Sequence, residues 1–194
     1  ISVGKNWSFG KDRLGNTMLM RSLCKKKNIN FYEQEEIIFD GQRISSTRIR
    51  NAIKNGNIKD ATKMIGGPFS ISGRIIHGEK IGRQLGYPTA NIESNNECLP
   101  ALGVYAATLS FDDNEYEAAL YIGSRSTIHN NKPIIIEAHI INENNLDLYN
   151  KNVEVIFNDY IRGDIKFDTV GDLIKQIKSD VDNIKKNYPS KRAN

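Results

Sequence analysis

After Gly67 the chain reads as a succession of short extended runs, at residues 69–76, 89–92, 104–111, 115–122, 133–141 and 153–160. Turn residues cut each run off, and Asp113-Asn114 marks a hairpin between two of them. Strands this short must pair with one another, and their free edges must be closed or covered. The pattern predicts a six-stranded antiparallel barrel. The last stretch changes period: Val170, Leu173, Ile174, Ile177, Val181 and Ile184 recur at helical spacing. Asp168 or Thr169 can cap that helix, and Lys185-Lys186 suit its last turn. One apolar stripe predicts a helix packed on the barrel, with residues 189–194 as a frayed tail.

The first third is different in kind. Residues 1–4 read as a strand, Met18 to Leu23 as the start of a helix ending in Lys25-Lys26-Lys27, and 29–39 as extended up to an Asp40-Gly41 turn. One strand–helix–strand unit does not complete a doubly wound sheet. The expectation is an incomplete Rossmann-like fragment, the back end of a domain whose front is missing. Next comes Ile44-Ser45-Ser46-Thr47-Arg48-Ile49-Arg50, in which Ser45 or Ser46 can cap a helix that stops at Asn55-Gly56. Arg48 and Arg50 fall in its first turn, where the helix dipole favours acids. They suit an anion docked at the helix start, or equally a solvated surface face. A second helix at 58–65 runs into Gly66-Gly67-Pro68, the best boundary in the chain, which divides it into 1–66 and 67–194.

Charge follows that division. Residues 1–66 carry 13 Lys/Arg against 6 Asp/Glu, and the remainder 14 against 17, so only the first part is basic. That argues against a nucleic-acid function for the whole chain, since phosphate-backbone binding needs a basic face on the working domain. No apolar run approaches the roughly 20 residues that span a bilayer, so no membrane partner is expected. Cys24 and Cys98 fit no metal-ligand spacing, and two lone thiols suit the cytoplasm. His77, His129 and His139 form no ligand set either, and Trp7 and Tyr105 read as packing residues.

Two stretches carry chemistry. The run GEKIGRQLGYPTAN begins at Gly78 and ends at Asn91. Its glycines allow close backbone approach to a ligand, and Arg83 supplies a planar cationic fork. If a strand starts at Thr89, the Thr89 hydroxyl and Asn91 carbonyl share a face while Ala90 turns away. Neutral oxygens beside a phosphate-sized basic loop suit Mg²⁺, although a plain glycine turn entering a strand fits as well. In 133–141, Ile134, Ile136, Ala138 and Ile140 share one face and Ile135, Glu137, His139 and Ile141 the other. Glu137 therefore faces either solvent or a substrate.

The GEKIGRQLGYPTAN run resembles the signature of riboflavin kinase, a glycine/arginine loop followed by Pro-Thr-Ala-Asn. The likeness continues through Leu102-Gly-Val-Tyr-Ala106, Ile122-Gly-Ser-Arg125, Ile136-Glu-Ala-His139, the segment from Ile161 to Phe167 and the last helix. The resemblance implies an α+β chain: a riboflavin-kinase-like antiparallel barrel with its C-terminal helix, preceded by the nucleotidyltransferase fragment. It implies Glu137 as general base, Thr89 and Asn91 as Mg²⁺ ligands, and Gly82, Arg83, Gly86 and Pro88 with them around ATP. Arg125 and Arg162 are implied at the flavin. The substrates would be the small molecules ATP and riboflavin, the products FMN and ADP. Residues 1–66 resemble the end of the FMN adenylyltransferase domain of bacterial bifunctional FAD synthetases. Its Ile-Ser-Ser-Thr-x-x-Arg motif is matched in full, and implies a remnant phosphate site at Ser45, Ser46, Thr47 and Arg48. Asn6-Trp7 replaces that family's Asp-Phe, and its histidine-bearing nucleotide motif does not occur, so no adenylyl transfer is expected of this chain alone. The competing expectation is a non-catalytic flavin- or RNA-binding barrel. Oligomeric state stays open.

Overall fold

The computed structural model describes residues 1–124, 134–143, 146 and 148–188. Contacts group the chain into two compact units, Ile1–Ser46 and Thr47–Asn194. No helix among the described residues is long and apolar enough to cross a membrane.

The first unit holds β1 (Ser2–Gly4), β2 (Ser8–Phe9), β3 (Gly15–Asn16), α1 (Thr17–Lys26), β4 (Tyr32–Gln34), β5 (Ile38–Phe39) and β6 (Gln42–Arg43). β1 and β4 pair in parallel across α1, the one strand–helix–strand unit expected from the sequence. Asn16 caps α1 by accepting the Leu19 N–H at 3.0 Å. Asp40 and Gly41, both left-handed at φ 52° and 68°, turn β5 back into β6. Trp7 stacks on Phe9, a packing role as its sequence context suggested.

The second unit opens within α2 (Ser46–Lys54), from Thr47 on, and continues with α3 (Ile58–Ile65), which left-handed Gly66 closes at φ 82°. Six strands follow: β7 (Ser70–Ile76), β8 (Ala90–Glu93), β9 (Gly103–Phe111), β10 (Asn114–Ser124), β11 (Ile134–Ile140) and β12 (Asn152–Gly163). They close in the order β10-β11-β8-β7-β12-β9, every pair antiparallel. Ile71, Ile75, Tyr105, Leu109, Leu120, Ile122 and Val155 are fully buried. Burying such a side chain contributes about 1.5–3 kcal/mol before entropy is counted, so this cluster dominates the unit's stability. β8 is the shortest stave, with three register pairs to β7 and only two to β11.

Between β7 and β8 the glycine run winds a single turn, α4 (Ile81–Gln84), which sequence periodicity did not reveal. The chain ends in α5 (Val170–Asn187), capped by Thr169, whose hydroxyl accepts the Asp172 N–H at 3.1 Å. Its Val181 and Ile184 pack with Ala106 and Ile141 on the outer wall of the barrel. Two bulges in β12, at Phe157/Asp159 and Tyr160/Arg162, break the strict alternation of its last third. Asp159 thereby accepts the Tyr188 hydroxyl at 2.5 Å and pairs with Lys59 of α3 at 2.6 Å.

Two details depart from the sequence reading. The hairpin turn is Asp112-Asp113, both left-handed, with Phe111 facing Asn114, so it falls one residue earlier than expected. β12 runs on to Gly163. Contacts group α3 and most of α2 in one compact unit with the barrel strands. Arg125, His129 and residues 189–194 lie outside the described residues.

Candidate active site

β8 and β11 bring the two chemical stretches together. Ala90 is buried and pairs with buried Ala138, which turns Thr89, Asn91 and Glu137 to the outer face. Asn91 lies directly opposite Glu137, and the Thr89 hydroxyl donates to Glu137 Oε2 at 3.2 Å. Hydroxyl, carboxamide and carboxylate thus gather from positions far apart in the chain. They meet on the barrel's outer wall rather than in its apolar interior.

The glycine run is folded tightly over this triplet. A Cβ on Gly82 would sit 2.4 Å from the Tyr87 carbonyl oxygen and 3.0 Å from Thr89 Oγ1. Tyr87 N–H donates to Gly82 O at 2.8 Å, which closes the loop. A Cβ on Gly78 would lie 2.0 Å from Asn91 Nδ2, so only glycine admits that amide. Gly86 adopts φ 86° in open space.

Two cavities meet at Thr89. The larger, about 340 Å³, lies between the outer wall and α5. Val104, Phe167, Leu173, Ile177 and Val181 give it apolar sides, while Glu137, Asp164 and Arg162 supply polar groups. The smaller, about 80 Å³, has mostly apolar walls that include Ile75, Ala138, Ile140 and Leu148, with Arg83 and Glu143 as its charged groups. The Thr89 hydroxyl thus borders both cavities and the Glu137 carboxylate the larger one, an arrangement suited to moving a group between two bound molecules.

The surroundings are held by specific bonds. Arg162 donates to both oxygens of Asp180 on α5, and its Nη1 donates to Gly163 O at 2.9 Å. Gln176 Nε2 donates to Asp180 Oδ1 at 2.9 Å. The Tyr121 hydroxyl donates to Asp164 Oδ1 at 3.0 Å. Burial first, and then that bond, push the Tyr121 phenol up to about 12. His139 Nδ1 lies 2.9 Å from Pro88 O, and burial holds its imidazole below the ordinary range against the opposing pull of that carbonyl.

Of the residues singled out from sequence, Thr89, Asn91, Glu137, Gly82, Arg83 and Pro88 gather around one point. Gly86 ends the same loop. Arg162 borders the large cavity with its guanidinium engaged by Asp180. Ser45, Ser46, Thr47 and Arg48 stand at the start of α2. Asp180, His139 and Tyr121 went unremarked as site residues. Asp180 left a readable trace: it is an acid within the Ile177–Val181–Ile184 apolar stripe of α5.

Comparison with known proteins bears on this geometry directly. Residues 65–188, well over half the chain, match the riboflavin kinase family. The chain belongs to that family. Residues 1–48 match the FAD synthetase family. A bifunctional riboflavin kinase/FMN adenylyltransferase of Haemophilus influenzae is 36% identical over 186 residues, covering 95% of this chain and 60% of that protein. One from Buchnera aphidicola subsp. Schizaphis graminum is 37% identical over 191 residues, covering 97% and 61%. This riboflavin kinase family member thus spans about three fifths of the length of those relatives. A solved structure named a macrolide-efflux protein, from Streptococcus pneumoniae, superposes with a TM-score of 0.84 at 32% identity over 95% of this chain and 59% of that one. The barrel, α5 and the cavity between them all fall within the riboflavin kinase match.

Proposed function

We propose that the chain transfers the γ-phosphate of ATP to the 5′-hydroxyl of riboflavin, giving FMN and ADP. The observation that carries this reading is the 3.2 Å bond between Thr89 Oγ1 and Glu137 Oε2 at the junction of the two cavities. The isoalloxazine ring, large and apolar, suits the slot under α5, and the polyphosphate suits the Arg83 side. Glu137 accepts the proton of the ribityl hydroxyl as that oxygen bonds to the γ-phosphorus. The bond from phosphorus to the β–γ bridging oxygen breaks, and ADP leaves with the electron pair. The loop through Gly82 and Gly86 lets backbone approach the phosphates, and α5 keeps water from the apolar side.

Hard oxygen donors from Thr89 and Asn91 fit Mg²⁺, which takes few protein ligands and leaves the rest to water and phosphate. Among the described residues no cluster of three His, Cys, Asp or Glu offers a rival metal site. When bound, Mg²⁺ would offset charge on the phosphate oxygens. Arg162 is assigned to the flavin side as a partner already oriented by Asp180, and Arg125 is proposed there from its motif alone. Residues 1–66 are assigned to the end of an FMN adenylyltransferase domain, with Ser45, Ser46, Thr47 and Arg48 as its anion site, and 67–194 to the kinase. Free Cys24 and Cys98 and the use of ATP suit the cytoplasm.

The test is incubation with riboflavin, ATP and Mg²⁺. FMN should accumulate, and chelating the metal should stop it. With FMN as substrate no FAD should form. Absence of FMN under saturating substrates would remove the reading.

A further inference from the structure

The ladder between β8 and β11 stops one pair short of the chemistry. Asn91 pairs with Glu137 and Ala90 with Ala138, and the same antiparallel register would next set Thr89 against His139. Backbone pairing ends there. The His139 side chain continues it instead: its Nδ1 lies 2.9 Å from the carbonyl oxygen of Pro88. A carbonyl only accepts, so Nδ1 carries the proton and donates. The ring is also fixed edge-on to Tyr87, at 5.4 Å between centroids and 79° between planes. The segment entering Thr89 is therefore tied to β11 by a side chain, two residues beyond the carboxylate that Thr89 contacts.

We propose that His139 is a positioning residue, which anchors the Pro88 carbonyl to the strand bearing Glu137 and so aims the Thr89 hydroxyl at the nucleotide side of the site. This rests on the kinase reading given above. The physical argument is one of constraint. Thr89 is held on its C-terminal side by the Ala90 and Asn91 pairs. On its N-terminal side the nearest residue, Pro88, has no N–H to give, so its carbonyl is the one backbone group available for a tie. Without the imidazole donor, the Tyr87–Thr89 segment is free to swing with the α4 loop, and misplacement by about 1 Å can cost roughly a hundredfold in rate.

The test compares His139→Leu, which removes the donor, with His139→Asn, whose Nδ2 lies one bond from Cγ as Nδ1 does. In the leucine variant KM for ATP should rise and kcat fall, together about 10–100-fold in kcat/KM, and because His139 also borders the larger cavity the KM for riboflavin should change less than that for ATP. The asparagine variant should recover most of the loss. Calorimetric ATP affinity with and without Mg²⁺ gives a readout independent of turnover: the gain from Mg²⁺ should shrink in the leucine variant and return in the asparagine one. Equal behaviour of the two variants, a loss confined to riboflavin KM, or an unchanged gain from Mg²⁺ would each overturn the proposal. Were the wild type to bind ATP with Mg²⁺ yet make no FMN, the kinase reading would fall, while the binding comparison would still decide the role of His139.

Discussion

Asp180 of α5 holds Arg162 of β12 through both carboxylate oxygens, with Nε at 3.1 and 2.9 Å and Nη2 at 2.8 Å from Oδ2. The Asp180 side chain is 7% exposed and the Arg162 side chain 17%. A nearly buried, forked pair of this kind fixes geometry more than it adds net stability. Here it locks α5 over the apolar cavity, because Asp180 sits between the cavity-lining residues Ile177 and Val181.

Asp180→Ala should therefore destabilise the second unit by an amount at the low end of roughly 3–5 kcal/mol, since the stranded guanidinium keeps some contact with water. Urea unfolding reads that loss. Riboflavin affinity should weaken with it, and a variant that unfolds and binds flavin like the wild type would contradict this role.

Glu137→Gln keeps size and hydrogen-bonding shape but cannot take up a proton. We expect kcat to fall by about 10²–10⁴ with ATP affinity and circular dichroism unchanged. Turnover within a few-fold of wild type would mean that another group accepts the proton.

The two loop glycines should respond differently to alanine. At Gly82 the new methyl would meet the Tyr87 carbonyl at 2.4 Å, so the backbone must shift next to Thr89. An overpacking strain of about 1–3 kcal/mol and a raised KM for ATP are expected. At Gly86 the space is open and only φ 86° is unfavourable, so about 1 kcal/mol of stability is lost. Equal effects on KM for ATP would argue against a close-approach role for Gly82.

Tyr121 offers a spectroscopic check. Burial and the bond to Asp164 favour its neutral phenol, so the folded chain keeps that proton to about 12 while an unfolded one releases it near 10.0. The associated stability is present in full below pH 10 and is lost as pH rises toward 12. Alkaline titration of phenolate absorbance, wild type against Tyr121→Phe, should isolate one late-titrating tyrosine. A difference spectrum that titrates near the ordinary tyrosine value would refute the assignment.

Much of this is legible in the sequence. Alternation put Ile134, Ile136, Ala138 and Ile140 on one face of β11 and Ile135, Glu137, His139 and Ile141 on the other, and burial follows that division from Ile135 to Ile140, while Ile134 at the strand end is exposed and Ile141 beyond it is buried. Thr89 and Asn91 separated from Ala90 in the same way. Period alone could not show where β12 departs from it: each bulge shifts the register by one, which is how Asp159 reaches Tyr188 and Arg162 reaches Asp180. Nor could it group α2 and α3 with the barrel, since the tie runs through Lys59 to Asp159, one hundred positions along the sequence, and through Gly56, against whose backbone the Tyr160 ring packs. The Pro88–His139 bond was hidden for a simpler reason, because a side chain that substitutes for a backbone partner leaves no periodic mark.

A cylinder of staves gives way first where one stave is narrowest, and β8 is that stave. With so few amides tying Ala90 and Asn91 to their neighbours, their protons should trade with solvent long before those of β9 and β10, in brief partings that leave the remaining wall standing. The same seam lies under both ligand cavities, so a nucleotide seated across it would act as a rivet. Its arrival should be visible as slowed exchange at those two positions.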